Sequence, residues 1–271
     1  MTQITANGIR ICYTDRGSGN GPPLLFIHGH PFDRSMWNPQ LDAFASSSQR
    51  VIAPDLRGYG DSEIVPGQTE LGLFVADLVA LLEALEVSGP VIVCGLSMGG
   101  QIAMEFCRQH PDRVAGLALC ATYPRADTED YKRVRNEQAD MLLREGFAQH
   151  ASDLLPKMVG AKSIRSMPHV ATQVLHMMLN AYPEGAAAAL RGRALRPAYE
   201  PTLGGLAVPA LVVAGDADAY TTREDAEGMH KFLKGSELLW LNDCGHMPNL
   251  ERTAEFNAAL TRLIESAHRP G

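Results

Sequence analysis

No stretch of the chain comes near the roughly 20 consecutive apolar residues that a helix needs to cross a bilayer. The opening stretch, Met1 to Gly17, has no apolar core of the kind a secretory signal carries. Both absences point to a cytoplasmic protein without membrane contact. Basic residues are in deficit, with 24 Lys and Arg against 31 Asp and Glu and a net charge of −7, the wrong sign for a face that gathers nucleic-acid phosphates. Cysteine is scarce and odd in number. The five thiols (Cys12, Cys94, Cys107, Cys120 and Cys244) sit mostly inside apolar runs with no C-x-x-C pair, which excludes a disulfide framework and fits reduced core residues. No internal repeat is present.

What is present is a rhythm. Gly8 to Thr14 alternates as a strand does, and Asp15 to Pro23 is a turn rich in Gly, Ser and Pro. Leu24 to Ile27 is wholly apolar, the mark of a strand buried on both faces. Helical spacing follows over Ser35 to Phe44, a strand over Arg50 to Ala53 and an amphipathic helix over Leu71 to Leu85. Val91 to Cys94 reads as a strand, Gln101 to His110 as a helix and Val114 to Cys120 as a strand. The alternation predicts an α/β fold with a mostly parallel sheet covered on both faces. It stops between Tyr123 and about Gly205, where the pattern is helical and Pro156, Pro168, Pro183, Pro197 and Pro201 divide it into short pieces. It resumes with a strand over Pro209 to Ala214, a helix over Arg223 to Leu233, a strand over Glu237 to Leu241 and a helix over Thr253 to Ser266. The expected division is a core of residues 1–122 and 206–271 with a helical insert of residues 123–205.

Between the Val91 strand and its helix lies Gly95-Leu96-Ser97-Met98-Gly99, a G-x-S-x-G pattern. A strand turning straight into a helix strains its turn residue, and glycines on either side leave it room. Ser97 is thereby lifted above the sheet at a helix N-terminus, where free N–H groups favour a developing anion. A serine needs a base in hydrogen-bond reach, and the base needs an acid to hold its tautomer. Groups with these roles gather at the carboxyl ends of parallel strands. His246 follows the Glu237 strand, while Asp216 and Asp218 both follow the Pro209 strand. The residues alone do not choose between the two acids.

Acyl transfer further requires two N–H groups aimed at the oxyanion. The turn supplies that of Met98. The loop His28-Gly29-His30-Pro31 supplies that of His30, since Gly29 permits a close turn. His28-x-His30 with Asp33 has a spacing that suits a metal, but no further ligands cluster with zinc-type spacing. Neither a metal nor another cofactor is expected.

Taken together, HGHP (28–31), DLRGYGDS (55–62), GLSMGG (95–100), GDAD (215–218) and CGHMPNLE (244–251) resemble the α/β-hydrolase superfamily. Within it they are similar to the small esterase, 3-oxoadipate enol-lactonase and cofactor-free haloperoxidase group. The resemblance implies that Ser97 is nucleophile and His246 base, with His30 and Met98 as oxyanion donors. It prefers Asp218 as the acid, makes Asp55 and Asp61 loop-structuring residues, and makes the insert a helical cap. Serine rather than aspartate at position 97 argues against dehalogenase or epoxide hydrolase chemistry. His30 departs from the apolar residue common in relatives, and its ring is expected either to contact a polar substrate or, the favoured reading, to point into solvent.

The expected activity is hydrolysis of a small-molecule carboxylic ester or lactone. A C–C bond hydrolase, a perhydrolase, or a small-molecule receptor with slow turnover would use the same residues. In the insert, Met141, Met158, Met167, Met177 and Met178 offer an adaptable apolar wall or simply helix core, and His169 and His176 could line a substrate cavity, with a solvated place the favoured reading for both. The other histidines, His150 among them, read as solvated. Arg125, Arg133, Arg135, Arg165, Arg191, Arg193 and Arg196 read mostly as a charged face, although one could take a substrate carboxylate.

Overall fold

The computed structural model describes residues 2–268. Strands β1 (Thr2–Ala6), β2 (Ile9–Arg16) and β3 (Leu24–Ile27) come first. A short 3-10 helix over Arg34–Trp37, helix α1 (Asn38–Phe44), strand β4 (Val51–Pro54) and helix α2 (Leu71–Ala84) follow. Next come β5 (Val91–Leu96), α3 (Met98–Gln109) and β6 (Val114–Cys120). Six helices then intervene: α4 (Glu129–Glu145), α5 (Ala151–Met158), α6 (Ala161–Ser166), α7 (Pro168–Leu179), α8 (Pro183–Arg193) and α9 (Glu200–Gly205). The chain closes with β7 (Ala210–Gly215), α10 (Arg223–Phe232), β8 (Glu237–Leu241), α11 (Pro248–Glu251) and α12 (Thr253–Ala267).

The eight strands form one sheet in the order β1-β2-β4-β3-β5-β6-β7-β8. β2 runs antiparallel to its neighbours and the six strands from β4 to β8 run parallel. Their apolar runs divide with the period of two that the pleat imposes. Leu25, Ile27, Val93 and Leu119 face the layer of α2 and α3, while Leu24, Phe26, Cys94 and Cys120 face that of α1 and α12. All five cysteines are buried and unpaired, as expected of core thiols. No helix among the described residues is long and apolar enough to cross a membrane.

From β3 the chain steps to β4 on one side, whereas β5 lies on the other side of β3 and leads on to β6. Adjacent strands whose connections depart in opposite directions leave a crevice at their carboxyl ends. The loops after β3 and β5 therefore meet over an opening, and these are the loops of His30 and Ser97.

Two elements escape the periodicity. β1 is a polar edge strand in which Ala6 alone is buried, and α11 is a single turn. The prolines punctuate the six helices largely as expected. Pro168, Pro183 and Pro201 open α7, α8 and α9, where a missing N–H costs nothing, but Pro156 lies inside α5 and does not divide it.

Helix α8 is seated on the core by close backbone contact. A Cβ on Gly185 would lie 1.9 Å from the Gly58 carbonyl oxygen, and one on Gly192 would lie 1.7 Å from that of Thr69. Thr69 N–H donates to the Ala188 carbonyl at 2.9 Å. The Ala186–Leu190 run between these glycines is buried, and most of it joins the same apolar cluster as α2 and α3.

Candidate active site

Ser97 stands between β5 and α3 with φ 56° and ψ −114°, a left-handed conformation that non-glycine residues adopt only when the surroundings impose it. The surroundings do so here. Ser97 N–H donates to the Cys120 carbonyl at 2.8 Å, and the Thr122 hydroxyl donates to the Ser97 carbonyl at 2.8 Å. A Cβ on Gly95 would stand 2.2 Å from the Gly99 oxygen, and one on Gly99 2.1 Å from the Ile27 oxygen. The spacing of the two glycines is thus set by backbone packing on both sides of the turn.

After β7 and β8 the chain places a carboxylate against an imidazole. Both oxygens of Asp218 lie 2.9 Å from Nδ1 of His246, so Nδ1–H donates and the ring's Nε2 is left as its acceptor. The Asp218 side chain is fully buried. Burial alone would raise its pKa, but the His246 ring and the N–H groups of Tyr220 and Thr221 hold it below the usual carboxylate range. The Tyr220 ring packs edge-on to His246 at 5.0 Å, and His246 N–H donates to the Met158 carbonyl at 3.1 Å. Asp216 is exposed and accepts only a long bond from Cys244 N–H, at 3.3 Å. The acid that meets the histidine is Asp218.

Neither His30 N–H nor Met98 N–H has an acceptor among the described residues. The two histidines of the β3 loop behave differently from each other. His28 is a buried strut: Nδ1 bonds to the Gly29 carbonyl at 2.9 Å and Nε2 accepts Leu56 N–H at 2.9 Å. Burial pushes its pKa down to about 4. With both ring nitrogens engaged it has no lone pair for a metal, and the described residues contain no cluster of metal-binding groups.

The His30 ring is turned inward, contrary to its expected place in solvent. Nδ1 lies 2.8 Å from the Tyr59 hydroxyl, and the ring faces Phe147 as well as Tyr59. Burial first, then the charges of Arg193 and Arg135, hold it well below the ordinary histidine value. In the same loop region Asp55 accepts N–H bonds from Arg34 and Asp61 at 2.8 Å each and pairs with the Arg34 guanidinium.

Ser97, His246 and His30 line one cavity of about 570 Å³. Its apolar wall includes Met141, Leu142, Phe147, Leu154, Met158 and Leu190, and its polar wall includes Gln101, Tyr123, Arg135, Arg193 and Tyr220. Of the five methionines considered for a wall, Met141 and Met158 line this cavity. Met178 is buried core, Met167 packs against that core, and Met177 borders a separate surface groove. His169 and His176 line that groove, between α1 and α7, and not the Ser97 cavity. His150, read as solvated, borders the cavity and bonds to Glu145 at 2.7 Å. Of the seven arginines considered, Arg125, Arg133 and Arg165 are exposed and Arg191 is half-buried, as expected of a charged face, whereas Arg135, Arg193 and Arg196 are buried.

Residue patterns also gave no sign of Glu251, which ends α11. Its buried carboxylate accepts N–H bonds from Gly160, Gly245 and Met247 at 2.9 to 3.1 Å. Only its position in the CGHMPNLE motif marked it.

An open, mostly parallel sheet with a left-handed serine at a strand–helix turn and a cavity over its carboxyl edge defines an α/β hydrolase. The chain belongs to the alpha/beta hydrolase family, whose model matches residues 24–259. It is similar to a thermophilic esterase from Thermogutta terrifontis, solved with malate bound, at 35% identity and TM-score 0.93 over 99% of both chains. The enol-lactonase from Burkholderia xenovorans superposes with TM-score 0.88 at 27% identity, over 97% of this chain and 100% of that one. The 3-oxoadipate enol-lactonase 1 of Acinetobacter baylyi is 26% identical over 250 residues, 92% of this chain and 91% of its own.

Proposed function

We propose that the protein is a serine hydrolase of small-molecule carboxylic esters or lactones, with residues 123–205 forming a cap over the site. The observation that carries this reading is that strained Ser97 and an Asp218-backed His246 face one cavity. The esterase and enol-lactonase names of its relatives support it.

In this mechanism the Ser97 hydroxyl oxygen attacks the carbonyl carbon while Nε2 of His246 takes its proton. Asp218 fixes the tautomer and stabilises the imidazolium. The N–H groups of His30 and Met98 hold the oxyanion, each worth about 3 kcal/mol by analogy with other hydrolases. His246 then protonates the leaving alkoxide, which departs as an alcohol or, from a lactone, stays as a hydroxyl on the acyl chain. Water attacks the acyl-serine, His246 removes its proton, and collapse releases the carboxylate and restores Ser97.

The test is hydrolysis of 4-nitrophenyl esters from acetate to decanoate, and of simple lactones, by wild type and Ser97→Ala. The expected result is turnover that Ser97→Ala lowers by at least about a thousandfold. Equal rates in the two proteins would sink the reading.

A further inference from the structure

Three buried arginines, Arg135, Arg193 and Arg196, lie near one another, and two of them share one carboxylate. Asp127 receives Arg196 through both Nη groups, at 2.7 and 2.9 Å, and Arg135 through Nε and Nη2. Its two oxygens are thereby fully used. Arg193 is 7% exposed, and its Nε donates to Oε1 of Gln101 at 3.0 Å. Among the described residues neither Nη of Arg193 has an acceptor, and no carboxylate lies within 4.0 Å of it.

A buried cation without a counter-ion is costly, and it persists only where the fold holds it or a ligand completes it. Here the fold holds it, because Arg193 follows directly on Gly192, whose backbone packs on that of Thr69. Gln101 lies one helical turn after Ser97 on α3, so the residue that fixes Nε stands on the helix that carries the serine. Burial first, then the neighbouring charge of Arg135, pull the Arg193 guanidinium down from the usual arginine value. Adding a negative charge beside it would relieve both. The remaining charged groups on the cavity wall are Arg135 and Lys157 against Asp153, with Lys157 and Asp153 exposed on α5. Asp218 is committed to His246.

We propose that Arg193 receives a carboxylate of the substrate through its two free Nη groups, and that the preferred substrates are esters or lactones bearing a second, unreacted carboxylate. A guanidinium fork matches the two oxygens of a planar carboxylate, and Gln101 leaves its outer edge free. The inference rests on the ester-hydrolase reading for the reaction but not for the binding.

Two measurements separate these. The first compares kcat/KM for monomethyl succinate, glutarate and adipate with neutral methyl esters of similar length, in wild type, Arg193→Met and Arg193→Lys. Wild type should favour the half-esters. Arg193→Met should lower that selectivity by about 10- to 100-fold, chiefly through KM, with Arg193→Lys in between. The second titrates Ser97→Ala with glutarate by calorimetry, with and without Arg193→Met. Binding should require Arg193.

Thermal unfolding of Arg193→Met supplies a control. A merely structural arginine would leave the variant less stable, whereas removing an uncompensated cation should leave it as stable or more so. Neutral-ester turnover with no half-ester preference and no glutarate binding would overturn the proposal and spare the hydrolase reading. Arg193-dependent glutarate binding without ester turnover would do the reverse. Inorganic phosphate binding as well as glutarate would overturn the assignment to a carboxylate.

Discussion

Oε2 of Glu251 accepts the Gly160 N–H at 2.9 Å, tying the turn after α5 to the turn that carries His246. The same carboxylate takes Gly245 N–H and Met247 N–H at 3.1 Å each, one on either side of that histidine. Three charge-assisted bonds to a buried acceptor are strong, and each donor left unpaired costs about 1–3 kcal/mol. Glu251→Ala should therefore destabilise the protein by several kcal/mol and lower kcat on 4-nitrophenyl butyrate. Glu251→Gln, which keeps one acceptor oxygen, should fall between. Urea unfolding and initial rates check this, and wild-type values for Glu251→Ala would refute the clamp.

The contrast between the two aspartates of the β7 loop is equally sharp. Asp218→Asn removes the acceptor that holds the Nδ1–H tautomer and, on the proposed mechanism, should reduce kcat by about 10⁴-fold, as the same change does in Ser-His-Asp proteases. Asp216→Asn should stay within about threefold of wild type, because exposed Asp216 makes only a long bond to Cys244. Parallel rate measurements on the two variants decide between the carboxylates.

Asp127 makes acid stability specific to one group. Burial opposes its ionisation, but hydrogen bonds and charge from Arg135 and Arg196 bring its pKa down to about 2. A carboxylate with a depressed folded pKa stabilises the fold above its unfolded value near 3.8, and the contribution fades as pH falls from there towards about 2. The stability gap between wild type and Asp127→Asn should be full at pH 7 and shrink below pH 4. Urea melts of the pair across that range measure it, and a gap independent of pH would exclude the ion pair as its source.

Two glycine substitutions should move stability in opposite directions. A methyl at Gly99 meets the Ile27 carbonyl and should cost several kcal/mol or prevent folding. Gly228 lies inside α10 with nothing within 4 Å of an added Cβ, so Gly228→Ala should raise stability by up to about 1 kcal/mol. Chemical unfolding reads both.

Most of the sheet was legible because its strands are buried on both faces. Leu24–Ile27 and Val114–Cys120 are found at the bounds that their side chains predict, and so is the half-buried edge strand Glu237–Leu241, whose run of apolar residues marks it. The edge strand Thr2–Ala6 was not, since its residues are mostly polar and exposed and Ala6 alone is buried. Ser97 and His246 could be read from local turns, whereas Asp218 was separated from Asp216 only by resemblance until the geometry was seen. Arg193 was one of eight arginines in the helical stretch of residues 123–205. What distinguishes it is the absence of a partner in space, and a linear pattern does not record that.

The seating of Gly185 and Gly192 has a bearing on how such a protein can be redesigned. With backbone against backbone at both ends of α8, no exchange of side chains there can move the wall that carries Arg193. Enlarging the chamber for bulkier acyl groups can proceed instead from α5, whose Leu154, Lys157 and Met158 also line it. A library confined to those three positions would vary the room for the acyl chain while leaving the charge that greets it where it is.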